Sequence, residues 1–244
     1  MFDSTCRSAA PGLRERKKLQ TRRRIVEVGL AMCDENGFEA TTVEQIAEAA
    51  DVSTRTVNRY FELKEDIVLG PIEDFTAAIA AELRKVPPTE QQLDALRIAY
   101  MNVVLHADEP GSQVPFTWFQ RMQRIVQAAP SVKRRSLDYT DTKSRALCAV
   151  VGERMSLPAD AVQVRLLVSM WNSIVHTGMN CEAFVCGQKP VTPESSVAEV
   201  QIAFDEFFRL AAIPRADTGS GELTTAIPAD LGTIPVHPDP VPAP

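Results

Sequence analysis

The sequence predicts an all-α protein in two parts, a small N-terminal unit of three helices followed by a larger helical domain. Three observations lead there. Apolar residues recur at helical spacing along most of the chain, with Pro, Gly and capping residues between the runs. No alternating, strand-like run bounded by hairpin turns occurs. The stretch VSTRTVNRYF (52–61), one short turn after another helix, sorts its side chains into an apolar side and a side of hydrogen-bond donors without a carboxylate.

Composition narrows the class. Hydrophobic residues make up 45% of the 244 and charged residues 24%, enough core for one large domain or two unequal ones. No apolar run reaches the roughly 18 residues of a membrane span, and no apolar secretion segment opens the chain. A cytoplasmic location with no membrane partner is therefore expected. Cys6, Cys33, Cys148, Cys181 and Cys186 show no C-x-x-C spacing and no histidine at ligand spacing, which predicts reduced thiols and no metal site. Net charge is −6, yet RERKKLQTRRR (14–24) holds seven basic residues and one acidic. One basic end lets an acidic protein bind a polyanion.

The elements follow in order. Residues 1–12 lack periodicity and read as a disordered arm. Helical spacing begins near Leu19 and continues through Ile25, Val28, Gly29 and Met32 to a stop at Asn36-Gly37. TTVEQIAEAA opens a second helix: Thr41 with Glu44, and Thr42 with Gln45, are both spaced as capping boxes. Asp51-Val52 leaves a turn before a third helix with Ser53 as N-cap and Val52 and Val57 as a hydrophobic staple. Val57 and Phe61 then point inward, and Arg55 and Arg59 outward beside Thr56 and Asn58. Further helices are predicted over 64–85, 90–107, 115–129, 131–155, 158–180 and 195–212. Residues 213–244 carry seven prolines in 32 positions, a composition that predicts a disordered tail.

A helix, a short turn and a second helix displaying Arg, Thr and Asn form the pattern of a helix-turn-helix DNA reader. Arg can hold guanine and Asn adenine bidentately in the major groove. Thr hydroxyls, the Tyr60 phenol and Lys64 suit phosphate oxygens, and the basic run at 14–24 would add salt-sensitive affinity. RRRIVEVGLAMCDENGFEATTVEQIAEAADVSTRTVNRYFELKEDIV (22–68) closely resembles the DNA-binding domain of tetracycline-repressor-type (TetR family) regulators, without a gap. The expected DNA-binding residues are Arg22, Thr42, Ser53, Thr54, Arg55, Thr56, Asn58, Arg59, Tyr60 and Lys64. Two positions depart from the family pattern: Asp51 stands where glycine is usual, and Asn58 where an aromatic is usual. The resemblance implies a homodimer whose reading helices enter successive major grooves of a roughly palindromic, double-stranded operator.

The DNA-binding unit is expected over 13–64, and a ligand-binding and dimerisation domain over 65–212. Within the latter, FQRMQRIVQAAPSVKRRSLDY, VVGERMSLPAD and MW are similar to the acyl-CoA-responsive and mycofactocin-type subset of the family. Helices expected to line a cavity carry Phe116, Trp118, Phe119, Met122, Met170, Trp171 and Met179, and Met beside aromatics suits an elongated apolar ligand. Arg121, Arg124, Lys133, Arg134 and Arg135 are candidates for a CoA phosphate. The family places its dimer interface on the last two helices, which implies Val168, Val175, Val197, Val200, Phe204 and Phe207. Catalysis finds no support in a Gly-rich phosphate loop, a G-x-S-x-G elbow or an H-E-x-x-H pair, and no cofactor is expected. His106, His176 and His237 are far apart in sequence. The reading is a ligand-responsive transcriptional regulator, a repressor released by a small apolar effector, with acyl-CoA as one candidate. A ligand-independent DNA-binding dimer or activator would instead have a filled core. An enzyme would have ionisable groups clustered in its cavity.

Overall fold

The computed structural model describes residues 12–211 apart from 89–90, 110–111, 113 and 186–188. The expected arm (except Gly12) and the expected tail lie outside the described residues. Among the described residues there are twelve helices and no strand. The first, α1 (Leu13–Asn36), buries Ile25, Val26 and Leu30 completely and leaves residues 13–20 exposed. α2 (Val43–Ala49) begins with one of the two expected capping boxes: the Gln45 N–H donates to Thr42 Oγ1 at 3.2 Å, and the Thr42 N–H donates to Gln45 Oε1 at 2.8 Å. Thr41 does different work. It is buried, and its hydroxyl donates to the Gly37 carbonyl at 2.9 Å, tying the loop to the end of α1. Asp51 takes the left-handed φ of 57° that the short turn requires. Ser53 then caps α3 (Thr54–Tyr60), its hydroxyl accepting from the Thr56 N–H at 3.1 Å. α4 (Lys64–Val68) closes this bundle across Gly29, where an added Cβ would lie 2.5 Å from Ile67 Cγ2.

The body comprises α5 (Gly70–Leu83), α6 (Gln92–Leu105), α7 (Phe116–Ala128), α8 (Pro130–Lys143), α9 (Arg145–Met155), α10 (Val162–Met179), α11 (Glu182–Val185) and α12 (Pro193–Ala211). The helix expected over 64–85 divides into α4 and α5 ahead of Pro71, which lacks the N–H that an unbroken helix would use. The helix expected over 131–155 divides at buried Ser144, whose hydroxyl accepts from Asn172 Nδ2 at 2.9 Å. That break answers to a partner 28 residues away, so no local breaker marks it. α10 starts at Val162 because 158–161 forms a turn, with the Ala161 N–H on the Pro158 carbonyl at 3.0 Å. α10 and α12 cross closely at Gly178, where an added Cβ would come 2.7 Å from Val200 Cα.

Two apolar cores result. One lies within the body, around Tyr100, Phe116, Leu147, Trp171 and Phe204. The other fills the N-terminal helices but is sealed from the body side by Trp118, Met122, Ile125 and Val126 of α7 and Val132 and Tyr139 of α8. At roughly 1.5–3 kcal/mol for each large apolar side chain buried, this joint is a substantial part of the reading unit's stability. No helix among the described residues is long and apolar enough to cross a membrane.

Candidate functional site

The outward face of α3 is built from its inward one. Val57 and Phe61 are buried and fix the helix against α1 and α2, which leaves Arg55, Asn58 and Arg59 exposed. Arg59 lies over the half-buried Tyr60 ring at 5.1 Å, a cation–π contact that steadies its guanidinium. Thr54 and Thr56 are half-buried at the start of the helix, and the Thr56 hydroxyl lies 2.9 Å from Ser53 Oγ. Thr42 is exposed beside its capping box. These seven residues and Ser53 present donors on one surface, and among the described residues neither Arg55 nor Arg59 is in a salt bridge.

Two expected DNA contacts are placed otherwise. Arg22 is half-buried and pairs with Asp74 at 2.6 Å and Glu73 at 2.9 Å, with its guanidinium over the Phe61 ring at 5.6 Å. Burial works against its charge, but the two carboxylates outweigh that and raise its pKa. Burial pushes the Asp74 carboxyl above its usual range, partly offset by Arg22. Arg22 therefore locks α1 to α5. Lys64 donates from Nζ to the carbonyls of Phe38 at 2.7 Å and Thr41 at 2.9 Å, over the Phe38 ring. It holds the loop before α2, and its positive charge is already engaged there. Both partners are more than 20 residues away, which a local reading cannot see.

The body encloses a cavity of about 450 Å³. Phe116, Phe119, Met122, Trp171 and Met179 line it, as expected from sequence, but Trp118 and Met170 do not. Trp118 points into the core shared with the N-terminal helices, and Met170 packs half-buried on the body core. The lining also includes Phe75, Tyr100, Gln123, Lys133, Asn172 and His176. Tyr100, Gln123 and Asn172 lacked any sequence signal beyond helical position. Tyr100 is 6% exposed, and burial drives its phenol well above the usual range, so it remains a neutral donor. Of the cations offered for a CoA phosphate, Arg124 donates to Asp34 at 2.9 Å, Arg121 lies 3.8 Å from the same carboxylate, and Arg135 donates to Asp66 at 2.9 Å. Lys133 lies at the cavity rim, and Arg134 is exposed.

The sequence comparisons agree with the α3 geometry. Residues 25–70 match the family model of bacterial regulatory proteins, tetR family. The transcriptional regulator TcmR of Streptomyces glaucescens is 31% identical over 166 residues, spanning 67% of this chain and 74% of its own. The chain belongs to the TetR family. The transcriptional repressor KstR of Rhodococcus jostii is 28% identical over 85 residues, 32% of this chain and 37% of its own. The Thermus thermophilus FadR structure, solved in complex with lauroyl-CoA, is 16% identical, covering 82% of this chain and 100% of that one, at a TM-score of 0.45.

This TetR-family regulator is thus a DNA-binding transcription factor, of a family that acts as dimers and binds small-molecule effectors. The residues expected at its dimer interface are largely spent within one chain. Val168, Val200 and Phe204 are buried in the body core, Val175 lines the cavity, and Val197 and Phe207 are half-buried against that core. Among the large apolar side chains that α10 and α12 leave outside, Val162, Leu166, Ile202 and Leu210 are each more than half exposed, and Phe208 is exposed to a lesser degree. Periodicity identified apolar helices but not which of their side chains the same chain would cover. Cys33, Cys148 and Cys181 are free thiols, Cys6 and Cys186 lie outside the described residues, and no metal-binding cluster occurs among the described residues.

Proposed function

We propose that this regulator is a homodimeric, cytoplasmic repressor that binds a roughly palindromic operator through α3 and leaves it when a small, largely apolar effector fills the body cavity. One observation carries the reading: Met122 and Val126 line the cavity and also belong to the core of the reading unit. An effector that displaces either side chain moves the surface against which α1 is packed. Close packing makes such a shift costly to absorb locally. α8 adds a second link, with Lys133 at the cavity and Arg135 paired to Asp66 of α4. Since two reading heads must match the spacing of successive grooves, a small change in their separation lowers operator affinity.

The dimer joins through the exposed apolar side chains of α10 and α12. An acyl-CoA would place its acyl chain in the cavity and its phosphates near Lys133 and Arg134, cations of that region that form no ion pair among the described residues. Selection of bound DNA from a random pool, followed by a reporter under the recovered sequence, tests the reading. A palindromic site occupied by two chains, with reporter expression falling when the protein is present, is expected. A single asymmetric site, or a reporter that is activated, would overturn it.

A further inference from the structure

The chemistry of the cavity wall selects among apolar effectors, and this inference rests on the effector-cavity reading above. Phe75, Tyr100, Phe116, Phe119 and Trp171 all line the cavity. They are mutually arranged, with Phe75 edge-on to Phe119 at 5.5 Å and Tyr100 edge-on to Trp171 at 5.7 Å. Such walls offer ring edges and faces, which match another aromatic system better than a saturated chain. At about 450 Å³ the cavity has the size of a small multi-ring molecule.

Two polar features fix the ends of that molecule. Deep in the wall, the Tyr100 hydroxyl has as its hydrogen-bond acceptor the Met179 sulfur at 3.7 Å, and both residues line the cavity. Thioether sulfur is a weak acceptor, so a buried O–H in this position gains by turning to an oxygen. An anion there would lack a cation, which restricts the acceptor to an uncharged oxygen. At the rim, Lys133 and His176 are exposed and no Asp or Glu is among the lining residues. Lys133 forms no ion pair among the described residues. The rim thus favours an anion and rejects cations.

We propose that the effector is a flat aromatic acid that presents an uncharged carbonyl-type oxygen to Tyr100 and its anionic group to Lys133. The test uses tryptophan fluorescence of the full-length protein, with 4′-acetylbiphenyl-4-carboxylate, biphenyl-4-carboxylate, dodecanoate and lauroyl-CoA as probes. Both aromatic acids should bind, the acetyl compound more tightly. Tyr100→Phe should weaken the acetyl compound about five- to tenfold and leave biphenyl-4-carboxylate unchanged. Lys133→Met, at an exposed position, should weaken both aromatic acids alike. Equal loss of both acids in Tyr100→Phe would overturn the assignment of the inner oxygen. Tighter binding of dodecanoate or lauroyl-CoA than of either aromatic acid would overturn the aromatic class while leaving the effector cavity standing. Binding of no probe would overturn both.

Discussion

At the scale of single residues, similar arginines have been given different tasks by what surrounds them. Arg55 is exposed on α3 without an ion pair among the described residues, whereas Arg22 is held by Asp74 and Glu73. Arg55→Ala is expected to weaken specific operator binding by about 1–3 kcal/mol while leaving nonspecific binding and its salt dependence nearly unchanged. Equal loss of both, read by fluorescence anisotropy at several salt concentrations, would place Arg55 on phosphate. Arg22→Ala should act through stability. It strands two partly buried carboxylates and should cost roughly 2 kcal/mol, lowering the melting temperature by several degrees. An unchanged melting temperature with a reduced salt slope would instead return Arg22 to the DNA. Residues whose partners lie a few positions away were legible in the sequence: Ser53 caps Thr56, and Thr42 caps Gln45. Arg22 and Lys64 were not, because their partners come from α5 and from the loop before α2.

At the scale of elements, apolar periodicity identified α10 and α12 as packing helices without fixing what each side covers. Val168, Val200 and Phe204 face inward, so Leu166 and Ile202, 58% and 61% exposed, carry the expectation for the dimer. Leu166→Glu combined with Ile202→Glu should leave helix content intact, because neither side chain supports the fold of one chain. It should give a monomer by light scattering and a large loss of operator affinity. A dimer of unchanged size would rule this face out. The division of α8 from α9 at Ser144 shows the same limit, since the break is stabilised by Asn172 of α10 rather than by Pro or Gly in the segment. By contrast, the turn at Asp51 and the capping of α2 and α3 were readable because each depends on neighbouring backbone.

At the scale of the whole molecule, the reading unit and the cavity share side chains. The N-terminal core cannot be closed by α1 to α4 alone, and α7 both completes it and lines the cavity. The sequence located the reading helix and several aromatics of the cavity, but it could not show that Met122 and Val126 serve both. Through those shared side chains, filling the cavity is expected to cost operator affinity. Anisotropy of a labelled operator, titrated with protein at increasing concentrations of a compound that quenches Trp171 and raises the melting temperature, tests it most directly. Operator affinity is expected to fall about 5- to 150-fold at saturation, and operator DNA to weaken the compound by the same factor. A compound that fills the cavity yet leaves operator affinity unchanged would contradict it.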